Sequence, residues 1–329
     1  MKIHHIIGAD LSKKSIDLFC HLLKSHVQIE NSAAGFKRMI QWFREQKISI
    51  SQTMIVMEHT GLYSYCFEDY LHLQKIPFCK VNALAIKRSI GLVRGKTDKL
   101  DAARIAAFGY EKKGTLSADV PADEELKRLQ MLYSTRERLV KQRASLTCAI
   151  KEYRNIGMAD KDIIIRAQLQ LIKHLDRQIE KLMTEIETVL DQHQSLKQNF
   201  HLLQSIKGVG KILALATIIK TNNFSSFPNA RKFACFCGTA PFEHSSGTSI
   251  KRKARVSHLA DKKMKTLLDL AAKSAIQHDK ELREYYLNRT QGGKSKMSTI
   301  NVVRNKIIYR MFAVINRQTP FLENYLHAA

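Results

Sequence analysis

The stretch GKTDKLDAARIA, residues 95–106, combines a helix start with two acidic residues and one basic residue. Asp98 and Asp101 are three positions apart, and Arg104 follows after three more. In an α-helix the two carboxylates share one face, about 4.5 Å apart along the axis at about 1.5 Å per residue. The pattern predicts either paired ligands for a cation or an ordinary helix start with Asp98 as its N-cap.

Upstream of this helix, residues 1–113 alternate between strand-like and helix-like segments. The predicted order is three strands, helix, strand, helix, strand and helix, the last ending at Gly114, which defines an α/β domain that begins with a meander. The segment KIHHIIGAD ends on Asp10, and the strand within TMIVMEHTG ends on Glu58. If these two strands are neighbours, both acids leave the same edge of the sheet.

The helical acids, packed across that edge, would complete a cluster of four carboxylates. Four carboxylates repel one another unless cations lie between them. Two Mg²⁺ ions, with Mn²⁺ as a substitute, would relieve the repulsion and clamp a phosphodiester. Arg104 would either steady a phosphate or pair with Asp101. Each acid alone has a structural alternative, since Asp10 could cap a turn and Glu58 could be a surface acid.

Residues 122–200 have the periodicity of long helices. Apolar residues follow a and d spacing in the second half, and others recur every seven positions in the first half. Two helices with narrow apolar seams predict a helical hairpin or coiled coil. An intramolecular spacer and a dimerisation element explain this pattern equally well.

Residues 201–329 form a third region, predicted to be mainly α-helical. Its segment LLQSIKGVGKILALATII contains two apolar helical stretches joined by a Gly-x-Gly turn. Such a helix-hairpin-helix can bind phosphate at its turn, with Lys207 and Lys211 as candidate contacts, although similar turns also simply connect helices. A Ser/Gly/Thr loop then leads into a basic cluster with four candidate phosphate contacts: Lys251, Arg252, Lys253 and Arg255.

Charge is the strongest global property of the chain. Its 329 residues include 54 Lys and Arg against 30 Asp and Glu, a formal net charge of +24, which predicts a polyanionic partner such as nucleic acid. No segment is long and apolar enough for a membrane span and no secretory signal is evident, so we expect a cytoplasmic protein. The six cysteines have the spacing of free core thiols rather than of a zinc site.

Three motifs, GADLSKKSIDL, VMEHTGLY and GKTDKLDAARIA, resemble those of the DEDD-type insertion-sequence transposases, the family that includes the pilin-gene invertase Piv. The resemblance extends over nearly the whole chain. It implies a RuvC-like, RNase H-fold catalytic domain at 1–114, a coiled-coil dimerisation region at 122–200 and a C-terminal transposase domain at 201–329. The catalytic acids would be Asp10, Glu58, Asp98 and Asp101.

The same resemblance implies a recombinase that acts on double-stranded donor and target DNA, with a structured bridge RNA as guide in some members. It also implies a second catalytic group, a serine before glycine, which here is Ser246 in EHSSGTS. A serine that attacks a phosphodiester conserves the bond energy for rejoining. A polar turn is the structural alternative, and the hydroxyls of Ser245, Thr248 and Ser249 lie close by. In this family the acids and the serine of one active site come from different protomers, so the resemblance implies a dimer or tetramer.

Four other functions remain as alternatives. A Holliday-junction-type endonuclease of the RuvC class would use the same acids but leave the Ser-Gly segment unexplained, and a site-specific DNA invertase would use the same chemistry. The first motif also resembles the first phosphate motif of actin-like sugar kinases, but their second phosphate and adenosine motifs are missing. A non-enzymatic nucleic-acid scaffold explains the charge but not the acids.

Overall fold

A computed structural model describes residues 3–59, 61–89, 91, 95, 97–121, 123–246 and 250–322, without the side chains of 244–246 and 250–253. The chain folds as two compact units, Met1–Pro121 and Ala122–Ala329. The elements of the first unit are, in chain order, β1 (His5–Leu11), β2 (Ser15–Cys20), β3 (Ser25–Glu30), α1 (Ala33–Glu45), β4 (Thr53–Glu58), α2 (Tyr65–Leu73), β5 (Phe78–Val81), α3 (Ala83–Ser89) and α4 (Asp98–Lys112).

The five strands form one mixed sheet in the order β3-β2-β1-β4-β5. Antiparallel pairing joins β1, β2 and β3, whereas β4 and β5 run parallel to β1. This arrangement confirms the predicted α/β domain that begins with a meander. The sequence prediction missed α3, which is only seven residues long and has too few apolar positions to show a helical period.

Two helical layers cover the sheet. Side chains of β1 and β4 alternate between the faces, because successive residues of a strand point in opposite directions. Ile7 and Met57 belong to the core under α1 and α2, whereas Ile6 and Val56 belong to the core with residues of α3 and α4. Both faces of the central strands are therefore buried, which explains their nearly continuous apolar sequence.

The second unit is mostly helical, as predicted. Its elements are α5 (Glu124–Asn155), α6 (Ile163–Gln192), α7 (Gln194–Gln204), α8 (Lys211–Lys220), α9 (Ala230–Phe236), β6 (Pro241–Ser246), β7 (Ile250–Val256), α10 (Lys262–His278), α11 (Lys280–Gln291) and α12 (Lys296–Arg317). One large apolar core joins residues from α5 to α12.

Helices α5 and α6 form an antiparallel hairpin. Ion pairs between them run in opposite sequence directions, from Arg128–Glu185 at one end to Arg143–Asp176 nearer the turn. The end of the predicted seam is intramolecular, because Ile186 lies in the core of this unit with 1% of its surface exposed. Nearer the turn, most seam residues, including Ile172, Leu175 and Ile179, are only half-buried.

The predicted basic cluster lies in an antiparallel hairpin of β6 and β7, which sequence analysis did not predict, and residues 247–249 of the predicted Ser/Gly/Thr loop lie outside the described residues. The residues KRKAR lie within β7 and pair with β6. Sequence analysis did not predict this strand, because its many basic residues leave no regular alternation of apolar and polar residues.

The two apolar helices predicted on either side of the Gly-x-Gly turn are present as α7 and α8. Gly208 in its turn has φ +91°, and a Cβ there would lie 2.5 Å from the Ala271 carbonyl oxygen of α10. Close packing of the turn against α10 therefore explains why glycine occupies position 208, without any role in phosphate binding.

Candidate functional site

Two of the predicted acids lie on adjacent parallel strands. Asp10 is the penultimate residue of β1 and Glu58 the last residue of β4. The parallel pairing of β1 with β4 places Ala9 opposite Met57, so Asp10 and Glu58 occupy the next position along the two strands. Strand alternation directs both side chains to the face that α4 covers. The prediction that the two strands are neighbours is thus confirmed.

Helix α4 brings the second pair of acids to this edge. It begins with Asp98, whereas its N-cap is Thr97, whose hydroxyl accepts a hydrogen bond from the Leu100 amide at 3.3 Å. The capping alternative for Asp98 was therefore wrong. Asp98 and Asp101 both lie in the first turn of α4, where the positive end of the helix dipole favours carboxylates.

Gly8 sets the distance between α4 and the sheet. A Cβ at this position would lie 2.1 Å from the Ala102 carbonyl oxygen and 2.4 Å from the Ala106 nitrogen. Only a residue without a side chain allows the helix backbone to pack this closely on β1. Gly8 is two residues before Asp10, so this contact also sets how closely the acids of α4 approach the strand acids.

All four acids line one open cleft of ≈ 560 Å³. Burial raises the pKa of Asp10 to about 6, and nearby carboxylates add to the rise in the order Asp101, Asp98, Glu58 and Asp17. Among the described residues, no three His, Cys, Asp or Glu side chains form a closed ligand group for a metal ion. The four acids thus face one cleft and affect one another electrostatically.

Among the residues that the structure describes, two cationic side chains also line this cleft, and they differ in their contacts. Arg104 donates to Asp101 Oδ1 at 2.7 Å and to the Gly95 carbonyl oxygen at 2.9 Å. Of the two roles predicted for Arg104, the structure shows the ion pair with Asp101. The other cation, Lys87, is exposed and lies at the end of α3, which sequence analysis did not predict.

A fifth acid, Asp17, lies beside the cluster and was missed. It is directly opposite Asp10 in the pairing of β1 with β2, and only 3% of it is exposed. His26 Nε2 lies 2.7 Å from its Oδ1, and Gln28 Nε2 donates to its Oδ2 at 2.9 Å. An acid between two apolar residues of a strand, in the segment SIDLF, was the available signal.

Ser246 is the last residue of β6, and its backbone is in register with Ile250 of β7. Its side chain and all of residues 247–249 lie outside the described part of the chain, so the choice among the hydroxyls here stays a prediction. The same holds for the contacts of three predicted basic residues: Lys251, Arg252 and Lys253.

The root of this hairpin is held by side chains of α12. The Thr239 carbonyl oxygen accepts hydrogen bonds from Asn301 Nδ2 and Asn305 Nδ2, both at 2.8 Å. The Thr239 hydroxyl lies 3.0 Å from Asn305 Oδ1. Thr239 is only two residues before β6, so these contacts fix where the hairpin leaves the helical core.

The remaining predicted basic residues are spread over the second unit. Arg255 is exposed near the end of β7 and lines a shallow, mainly apolar groove with Phe242 and Leu259. Lys207 is exposed in the turn before α8, and Lys211 at the start of α8 is paired with Glu187 at 2.6 Å. These positions leave their predicted nucleic-acid contacts as a hypothesis.

A mixed sheet that presents acids in the order Asp, Glu, Asp, Asp to one cleft defines a DEDD nuclease-like domain, followed here by a mostly helical region. Family comparison agrees with this class. The model of DEDD transposases of the IS110 type matches residues 7–153, and the model described as "Transposase IS116/IS110/IS902 family" matches residues 200–287. The chain thus contains both domains of the IS110-type transposases, and it is accordingly an enzyme of DNA cleavage and recombination.

Similarity to individual proteins extends over the chain. The pilin gene-inverting proteins of Moraxella bovis and Moraxella lacunata are each 27% identical over 330 residues, covering 96% of this chain and 97% of the relative. The transposase for insertion sequence element IS1111A of Coxiella burnetii is 25% identical, covering 70% of this chain and 68% of the relative. In the described residues we find no helix with the length and apolar character needed to cross a bilayer.

Proposed function

We propose that this transposase cuts and rejoins DNA with a divalent-metal site at the acid cleft and a serine nucleophile. The observation that supports it best is the convergence of Asp10, Glu58, Asp98 and Asp101 on one cleft, where burial and then the repulsion of the neighbouring carboxylates raise the pKa of Asp10. Such a set of oxygen ligands fits hard cations such as Mg²⁺, with Mn²⁺ as substitute. When bound, two such ions would stabilise the attacking and leaving oxygens of a phosphodiester.

The residues of the chain have separate tasks in this proposal. The strand acids and the α4 acids would hold the metal ions from two sides of the cleft. Asp17, which is bound by His26 and Gln28, adds negative charge beside Asp10 and so favours cations there. We propose that the unit is a RuvC-like domain of the RNase H fold, which the strand order β3-β2-β1-β4-β5 supports.

Ser246 is the proposed nucleophile. Its Oγ would form a bond to phosphorus while the bond from phosphorus to one sugar oxygen breaks, and the serine proton would pass to that sugar oxygen. The resulting phosphoserine ester keeps the energy that rejoining requires. The position of Ser246 at the end of β6, beside the turn of a hairpin whose root is held by α12, supports this assignment.

Nucleic acid is the proposed partner, as double-stranded donor and target DNA and as a structured guide RNA. The net charge of +24 supports binding through phosphates. Of the last 79 residues, 17 are Lys or Arg and 6 are Asp or Glu, so we place much of this binding in the C-terminal region. DNA inversion is a second candidate outcome of the same chemistry, because the two relatives that cover 96% of the chain are pilin gene-inverting proteins.

The division into a catalytic domain at 1–114, a connector at 122–200 and a transposase domain at 201–329 is also part of the proposal. The α5–α6 hairpin would act as a coiled-coil element that joins protomers into a dimer or tetramer. Its half-buried seam and the exposure of 55% of Leu171 support this role.

Self-association can be tested at Leu171 without disturbing the core. Leu171→Glu should shift the sedimentation coefficient toward that of a monomer, because charge replaces an exposed apolar contact. Thr184→Glu, an exposed position on a different face of α6, is the control. A parent that sediments as a monomer would assign the hairpin an intramolecular role.

The central experiment compares Asp98→Asn with Ser246→Ala, using plasmid DNA that carries the sequence flanking the gene. Asp98→Asn should lose Mn²⁺ affinity and all strand cleavage. Ser246→Ala should still bind Mn²⁺ and DNA, yet form no protease-sensitive protein–DNA adduct on a denaturing gel. Normal recombination by Ser246→Ala would disprove the serine assignment, and metal-independent cleavage by the parent would disprove the metal site.

A further inference from the structure

The acid cleft contains a lysine that neither the motifs nor the family comparison assigns. Lys87 lines the cleft together with the four acids, although it comes from α3, an element outside all three acid motifs. A cation in a cleft of carboxylates would ordinarily neutralise one of them. Lys87 makes no ion pair or hydrogen bond through its side chain within the described parts of the chain, and it is exposed.

Arg104, the other cation of the cleft, is already engaged. Its guanidinium bonds both Asp101 and the Gly95 carbonyl oxygen, and 19% of its side chain is exposed. To contact DNA, Arg104 would have to give up a short ion pair, whereas Lys87 would give up only water. The contacts therefore favour Lys87 as the residue that is available to an incoming anion.

The backbone that carries Lys87 is well held. The neighbouring Ile86 is 6% exposed and belongs to the core shared with α4. At the start of the helix, Asn82 Oδ1 accepts a hydrogen bond from the Leu84 amide at 2.8 Å. At its end, the Ser89 hydroxyl donates to the Ile86 carbonyl oxygen at 2.8 Å. Lys87 thus has a fixed base and a free ammonium group.

We propose that the Lys87 ammonium group contacts a non-bridging oxygen of the DNA phosphodiester held at the acid cleft. Four carboxylates repel a phosphate, and metal ions held by these acids would offset that repulsion. Lys87, which lines the same cleft, would neutralise the remaining charge of the phosphate and stabilise the additional charge that develops on the phosphoryl oxygens during attack. This inference rests on the proposed function, because it requires that a phosphodiester occupies the cleft.

The test uses the full chain and three variants, namely Lys87→Ala, Lys87→Arg and Arg88→Ala. Arg88 is the matched control, since it is exposed on the same helix and does not line the cleft. Lys87→Ala should slow single-turnover, Mn²⁺-dependent cleavage by about 10²-fold. It should leave the melting temperature unchanged and should not weaken Mn²⁺ binding, because a positive charge is removed from beside the acids, and Lys87→Arg should recover part of the rate. Arg88→Ala should cleave at the parent rate.

Salt dependence provides a second readout that does not require cleavage. For binding of a non-specific DNA duplex, Lys87→Ala should reduce the slope of log affinity against log salt by about one, while Arg88→Ala should not. Equal rates and equal slopes for the two alanine variants would overturn the inference. If the parent itself shows no metal-dependent cleavage that Asp98→Asn abolishes, the proposed function fails, and the slopes alone then decide whether Lys87 contacts phosphate.

Discussion

Replacement of Gly8 by alanine should displace α4 and with it half of the acid cluster. The new Cβ would lie 2.1 Å from the Ala102 carbonyl oxygen, whereas ordinary contact begins at 3.4 Å. Because the obstacle is helix backbone rather than a flexible side chain, α4 must retreat by about 1 Å. Overpacking of this kind costs roughly 1–3 kcal/mol. A shift of about 1 Å between catalytic groups costs on the order of 10²-fold in rate.

The appropriate assay combines thermal unfolding with metal-dependent DNA cleavage by the same preparations. Gly114→Ala is the control, because it makes the same chemical change in the same unit at a position with nothing within 4 Å. We expect Gly8→Ala to melt several degrees lower than the parent and to cleave about 10²-fold more slowly, and Gly114→Ala to match the parent. If Gly8→Ala melts and cleaves as Gly114→Ala does, the close contact between α4 and β1 does not set the geometry of the acids.

Two further predictions follow from single contacts, and a third follows from the net charge of the chain. Asn31 donates to the carbonyl oxygens of Ser12 and Tyr63, in the loops after the two acid-bearing strands, at 3.0 and 2.9 Å; Asn31→Ala should lower the free energy of unfolding by about 1 kcal/mol and slow cleavage, and an unchanged melting curve would contradict this. Glu68 is 1% exposed and pairs with Lys80 at 2.7 Å; Glu68→Gln should cost roughly 3–5 kcal/mol in urea unfolding, and a loss below 1 kcal/mol would show that the pair is not effectively buried. The affinity for DNA should fall steeply with salt: for each tenfold rise in salt concentration, the association constant should fall by about 0.9 logarithmic units per neutralised phosphate. An affinity that does not change with salt in filter binding would rule out recognition dominated by phosphate contacts.

Arg104 and Lys87 have different contacts in the cleft, so we expect their removal to have different effects. Arg104 holds Asp101 and the segment before α4 together, so its removal should disturb the ligand set itself. Lys87 has no such structural task among the described contacts, so its removal should affect the substrate alone. The two residues are therefore expected to give different results in metal binding, although both are cations beside the same acids.

Several elements of this protein are determined by local sequence. The β-branched run around Ile7 that ends at Asp10, and the helical pattern that follows Asp98, are sufficient to predict β1 and α4. The order of acids along the chain then predicted the class of catalytic domain. The long helices α5 and α6 were predicted for the same reason.

Only the tertiary structure decided which side chains meet in the cleft. The register of β1 with β4 places Asp10 beside Glu58, and the missing side chain of Gly8 lets α4 reach them. Pairing of β1 with β2 places Asp17 beside Asp10, and Lys87 lines the cleft from α3, which lies outside all three acid motifs. The β6–β7 hairpin depends on cross-strand pairing in the same way. These features arise from contacts between residues distant in sequence, and the periodicity of a single segment carries no information about such contacts.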